Sequence, residues 1–179
     1  MTVLKFWRDA QLPFIEARTV SDGREVHYDK HSHDVFSVGA ITSGCCMYCN
    51  EHQEQEVSAG AVVLMNAKDV HACNPVYDSP WSYIMFYVDV AWLMQLQVDL
   101  GLDVDLTMQR FETVVSKNPE LYHGLIALYE TCIDESNDVL LKQTMVFDFF
   151  IQLHQILKIT PELRLEKKLK ITQAVSFIA

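Results

Sequence analysis

The 179-residue chain is poor in several things, and each shortage excludes a class of protein. Glycine and proline number only 6 and 5, which excludes collagen-like and Pro/Gly-rich disordered compositions. Positive charge is scarce as well: 14 Lys and Arg stand against 24 Asp and Glu, a formal net charge of −10. That balance opposes attraction to a phosphate backbone or an anionic membrane, so this segment is not itself a nucleic-acid surface. No apolar run approaches the ~18 residues of a membrane span, and the first residues lack a basic and apolar signal pattern. A cytoplasmic protein is expected. The cysteines are 5, an odd number (Cys45, Cys46, Cys49, Cys73 and Cys132), and are expected as reduced core fillers rather than a disulfide framework. Cys46 and Cys49 have CxxC spacing, but no second pair accompanies them. Positions three apart on a strand face opposite sides, which argues against structural zinc or thioredoxin-like chemistry. Nucleophile elbow, Walker loop, dinucleotide fingerprint and EF-hand loop are all missing.

What is present suffices for one buried core: half of the residues are hydrophobic and 11% are aromatic. From Phe14 to about Val90, short β-branched and aromatic runs alternate with turn residues, which predicts an all-β region. The expected strands are 14–20, 25–31, 35–42, 46–51, 61–66, 70–73 and 82–88, enough for a sandwich or small barrel. After Asp89 the period becomes helical. Asp89 is placed to cap a helix ended by Gly101, and Asn118-Pro119-Glu120 to open one reaching about Asp134. Asn137 is read as the cap of a helix running to Lys158, and Thr160-Pro161-Glu162 as the start of another. In the 137–158 helix the apolar residues between Met145 and Leu157 leave a narrow polar stripe at Asp148, Gln152 and Gln155. So narrow a polar stripe implies burial on two sides and predicts a homodimer through this helix.

His31 and His33 are two apart at the start of an apolar run, so on a strand both imidazoles share one face. His71 opens a later short strand that pairing or barrel closure can bring beside them. Three neutral imidazoles suit either an open metal site or a small polar ligand. Tyr83, Met85 and Tyr87 share a strand face, and with Tyr48 these tyrosines are candidate pocket walls, although core packing explains them equally well.

The stretch from His31 to Asn74 resembles a cupin, whose first motif is Gly-x5-His-x-His-x3-Glu-x6-Gly and whose second is Gly-x5-Pro-x-Gly-x2-His-x3-Asn. His31, His33 and Gly44 fit the first motif, while Glu25 replaces its leading glycine and Ser37 its glutamate. Gly60 and His71 fit the second; Asn66 and Lys68 replace its proline and glycine, and Asn74 falls one place early. Serine at position 37 removes the charge that anchors a hard divalent ion, so no metal or cofactor is expected.

More specifically, His31-Ser-His-Asp-Val-Phe-Ser-Val-Gly-Ala-Ile-Thr-Ser-Gly, Gly60-Ala-Val-Val-Leu-Met-Asn, Asp69-Val-His-Ala-Cys-Asn-Pro and Trp81-Ser-Tyr-Ile-Met-Phe-Tyr-Val-Asp resemble the N-terminal effector-binding domain of AraC/XylS-type transcription regulators. The resemblance implies a mainly β fold with helices: a cupin-like barrel over 1–92, a helical dimerisation region over 93–160, and at 161–179 a linker and the start of a truncated helix-turn-helix DNA-binding domain. Arg164, Lys167, Lys168 and Lys170 outnumber Glu162 and Glu166 in that last segment, as a following basic domain requires. Contact with DNA is then expected only through a C-terminal domain missing here. No catalysis is implied. A small effector would bind at His31, His33 and His71, with Tyr48, Tyr83 and Tyr87 as walls. Its binding would order the barrel mouth and N-terminal arm and shift how the dimer presents its DNA-binding domains. The rival reading is a stand-alone metal-dependent cupin enzyme using the same three histidines.

Overall fold

The structure, a computed structural model, describes residues 2–51, 53–77, 79–102 and 108–157. Its elements in chain order are β1 (Val3–Arg8), β2 (Ile15–Ser21), a 3-10 turn (Gly23–Glu25), β3 (Phe36–Ser43), β4 (Cys45–Asn50), β5 (Gln53–Ser58), β6 (Val62–Met65), β7 (His71–Pro75), β8 (Ser82–Val88), α1 (Val90–Asp99), β9 (Val115–Ser116), α2 (Pro119–Ile133) and α3 (Val139–Ile156). One sheet has the strand order β1-β2-β8-β3-β6-β9, and a second has β5-β4-β7.

Alternation along the central strands separates two cores. In β3, β6 and β8, the residues Phe36, Val38, Val62, Leu64, Phe86 and Val88 turn toward the helices and share a cluster with Leu93, Leu125, Val146 and Phe150. The residues between them turn the other way: Ile41, Val63, Met65, Tyr83 and Met85 form a second cluster with Tyr48, Val57 and Trp81. The helical layer thus backs one face of the larger sheet and leaves the other face to the barrel interior.

The helix starts follow local chemistry. Asp89 Oδ1 accepts from the amides of Ala91 and Trp92, and Asn118 Oδ1 from those of Glu120 and Leu121, with Pro119 in the first turn. Gly101, at φ 79°, follows the end of α1. For α3 the expected cap moves by one residue. Asp138 Oδ1 accepts from Leu141 N at 2.8 Å, while Asn137 Nδ2 donates back to Thr131 O at the end of α2. The expected helix beyond Thr160, and with it the 161–179 segment, lies outside the described residues.

Three strands, β1, β5 and the two-residue β9, escaped the sequence reading, and one expected strand does not form. β1 is largely exposed and extends the sheet by pairing with β2. β5 (Gln-Glu-Gln-Glu-Val-Ser) buries only Val57, so its composition hides its conformation. The 25–31 run is not a strand; its backbone finds side-chain partners instead. Asn74 Oδ1 accepts from Tyr28 N at 2.7 Å and Asn74 Nδ2 donates to Tyr28 O at 3.0 Å, one carboxamide taking the place of a neighbouring strand. Only His31 of this run pairs, in an isolated bridge with His71.

Candidate functional site

Between the two sheets lies a cavity of about 100 Å³. The tertiary structure brings His31, His33 and His71 together on its wall, the ring centroids 4.6 Å apart for His31 and His71, 4.7 Å for His33 and His71 and 6.2 Å for His31 and His33. The route differs from a shared strand face. His31 is held by its bridge to His71, and His33 lies in the loop before β3.

Each ring is fixed by the same device. Nδ1 of His31 lies 2.7 Å from Asp29 O, Nδ1 of His33 2.9 Å from Val35 O, and Nδ1 of His71 2.9 Å from Asp69 O. A carbonyl only accepts, so each Nδ1 carries a hydrogen and, in the neutral ring, each Nε2 is an acceptor. Burial holds the pKa of His33 and His71 below the ordinary histidine value, against the opposing pull of those carbonyls. At neutral pH the pair is uncharged, and the wall of the cavity presents imidazole lone pairs.

Tyr83 and Tyr87 also line the cavity, and burial raises both phenol pKa values, so both remain O–H groups. The Tyr83 and Tyr28 hydroxyls are 3.0 Å apart, and the Tyr87 ring stands edge-on to His33 at 5.9 Å. Tyr48 is placed elsewhere. Its hydroxyl donates to Leu64 O at 2.6 Å and accepts from Asn50 Nδ2 at 3.0 Å, and it is not on the cavity wall. Trp81 stacks on Tyr83 at 4.7 Å, its indole N–H donating to Gly23 O.

Sequence reasoning missed Arg18 and Tyr28. Arg18 lies on β2, level with Met85 of β8, and its side chain reaches the cavity wall. A lone arginine in the run Ile15-Glu-Ala-Arg-Thr-Val reads as the polar half of an alternating strand; only barrel curvature turns that half inward. A second recess, of about 690 Å³, is lined by Pro13, Phe14, Glu16 and Asp89 and shares His33 and Tyr87 with the first cavity, so these two side chains form the common wall.

Among the described residues no group of three or more His, Cys, Asp or Glu side chains is arranged to hold a metal ion. Ser37, buried at the position where the cupin motif has glutamate, contributes only a hydroxyl 3.3 Å from His33 Nε2.

Facing sheets around a cavity lined by imidazoles, phenols and a guanidinium, backed by helices, define a cupin-like small-molecule-binding domain. The family description "AraC-like ligand binding domain" matches residues 16–169, and the chain belongs to that family. A search of curated protein sequences gave no match. Similar solved structures are cupins. An RmlC-like cupin family protein with a double-stranded β-helix fold from Methanocaldococcus jannaschii is 11% identical, with a TM-score of 0.44, over 50% of this chain and 81% of that one. A cupin-like protein from Thermotoga maritima is 19% identical, with a TM-score of 0.45, over 50% and 70%. A Cupin 2 conserved barrel domain protein from Salinispora arenicola is 16% identical, with a TM-score of 0.43, over 50% and 77%.

Proposed function

We propose that this chain is the effector-sensing and dimerisation part of an AraC-type transcription regulator, and that it is not itself catalytic. The observation that carries the reading is the cavity wall. Three imidazoles with oriented Nδ1–H groups converge there with the Tyr83 and Tyr87 hydroxyls. Such a wall discriminates polar ligands by hydrogen-bond pattern. Family membership supports ligand binding, and the regulator context is our extension of it.

Binding at His33 and Tyr87 would act on the recess they share with β1–β2 loop residues, and so on the N-terminal strand. Linkage then converts ligand affinity into a preference between two arrangements of the dimer and of a DNA-binding domain beyond this segment. The dimer contact is assigned to α3, near whose start Leu140 and Leu141 are 68% and 45% exposed.

The test is a thermal-shift screen of small metabolites on the purified chain. A hit that stabilises saturably and loses about ten-fold or more affinity in His33→Ala supports the site. Unchanged affinity in His33→Ala and Tyr83→Phe would remove the histidine wall from the function. In parallel, L140E/L141E should convert a dimer to a monomer in light scattering; a monomeric wild-type chain refutes the dimer assignment.

A further inference from the structure

We propose that the cavity selects a small hydroxylated organic acid, its carboxylate held by Arg18 and its hydroxyl end by the histidines. The inference rests on the reading of the cavity as an effector site and adds the chemical class.

Arg18 is a cation without an anion. Its Nε is sealed from solvent and has no hydrogen-bond partner, a state found for no other buried side-chain nitrogen or oxygen among the described residues. Its guanidinium lies 5.6 Å from the ring centroids of Phe6 and Tyr28, and no described carboxylate forms an ion pair with it. The acid two positions away on the same strand face, Glu16, is bound by Arg8 at 2.5 Å. The cavity wall contains no Asp or Glu. A guanidinium stays charged at every physiological pH, and leaving its buried N–H unmet is costly. A carboxylate supplies the planar, two-oxygen acceptor that this group matches best.

The histidines of the same wall ask for the opposite chemistry. His31, His33 and His71 each commit their Nδ1–H to a backbone carbonyl; the Nε2 of His33 takes the Ser37 hydroxyl, so His31 and His71 are the rings that offer Nε2 lone pairs to a ligand hydroxyl. Tyr87, also on the wall, stands edge-on to His33. Ile41, Val63, Met65 and Met85 supply apolar wall for a carbon skeleton. Size restricts the skeleton: the cavity holds about 100 Å³, against the ~150 Å³ of an engineered cavity that admits benzene. An acid with a skeleton of a few carbons fits that space.

The experiment is calorimetric titration of the chain with L-lactate and 3-hydroxybutyrate. Lactamide and 3-hydroxybutyramide serve as neutral counterparts, propionate and butyrate as acids lacking the hydroxyl, and inorganic phosphate as a bare anion. At least one hydroxy acid is expected to bind saturably, about ten-fold or more tighter than both its amide and its deoxy acid. Arg18→Gln should erase the preference for acid over amide, and Arg18→Lys should retain its sign. If Arg18→Gln fails to fold, the wild-type ratios and the Lys variant decide the matter.

Equal binding of acid and amide overturns the proposal. So does binding of phosphate alone, or no binding of either hydroxy acid up to concentrations on the order of 10 mM. Should glycerol or erythritol bind in a His33-dependent way while the acids do not, the effector site stands and only the class assigned here falls. If no compound of the wider screen binds either, both readings fall together.

Discussion

Ser37 Oγ lies 3.3 Å from His33 Nε2, and because His33 Nδ1–H is committed to Val35 O, the serine is the donor and the imidazole the acceptor. A hydroxyl therefore caps the histidine from the position where the cupin motif has a carboxylate. Ser37→Glu should reverse the electrostatics of the pair. A carboxylate at this distance raises the His33 pKa by about one to three pH units, which a histidine-resolved NMR titration would read. The ion pair stabilises the variant below the unfolded histidine value and is lost as pH rises through the raised folded value. The variant's stability deficit against wild type should thus be larger at pH 8 than at pH 6, and an unmoved His33 titration would contradict the contact.

Stability of the wild-type protein should fall on acidification. Burial lowers the folded pKa of His33, His71 and His154 below the ordinary 6.5. In His154 the neutral form is also required by hydrogen bonding, since Nδ1 faces Phe150 O and Nε2 accepts from Gln97 Nε2 at 3.1 Å. The unfolded chain takes up these protons first. The contribution is complete above pH 6.5 and is lost as pH falls toward the folded values, with a slope of at most about 1.4 kcal/mol per pH unit for each histidine. Urea unfolding at pH 7.5, 6.5 and 5.5 checks the sign, and His154→Gln should flatten the curve.

Asn66 holds the 108–111 segment against the sheet. Its Oδ1 accepts from Phe111 N at 2.8 Å and its Nδ2 donates to Phe111 O at 3.1 Å, with a second donation to Asp69 Oδ2. Arg110 completes the clasp on Asp69 at 2.6 Å. Asn66→Ala strands the Phe111 backbone groups in a buried place, and about 2–4 kcal/mol of unfolding free energy should be lost at an unchanged denaturant slope.

Tyr48 and Tyr83 should separate under the same substitution. Tyr48→Phe removes a buried bond to Leu64 O and the acceptor of Asn50, at a cost of about 1–2 kcal/mol, with ligand affinity unaltered. Tyr83→Phe removes a hydroxyl at the cavity wall, so its effect should appear mainly in affinity. Binding and unfolding measurements on both variants distinguish core from wall.

Much of the fold was readable in the chain. Period-two apolar runs mark β2, β3, β6 and β8, and the Asp89 and Asn118-Pro119 signals place two helix starts, because caps and alternation are local. Asn137 misled by one position since it and Asp138 are both good caps, and only α2's unsatisfied carbonyl at Thr131 decided which took which role. The 25–31 segment misled for a related reason. Its apolar and aromatic residues suit a strand, but its partner is the Asn74 side chain, 46 residues away from Tyr28.

The histidine trio was legible from spacing and motif, and Tyr83 and Tyr87 from their shared strand face, whereas Arg18 and Tyr28 were not. Arg18 lies on β2, Tyr28 in the loop before β3, and Tyr83 and Tyr87 on β8, and whether each faces solvent, core or cavity depends on how the sheets curve toward each other. A sequence determines which groups are available and on which strand face they lie. The packing of the two sheets in three dimensions decides which of those faces becomes an interior, and so set a polar strand arginine, with no carboxylate partner among the described residues, at a cavity wall and made a candidate wall tyrosine, Tyr48, a bonded part of the core.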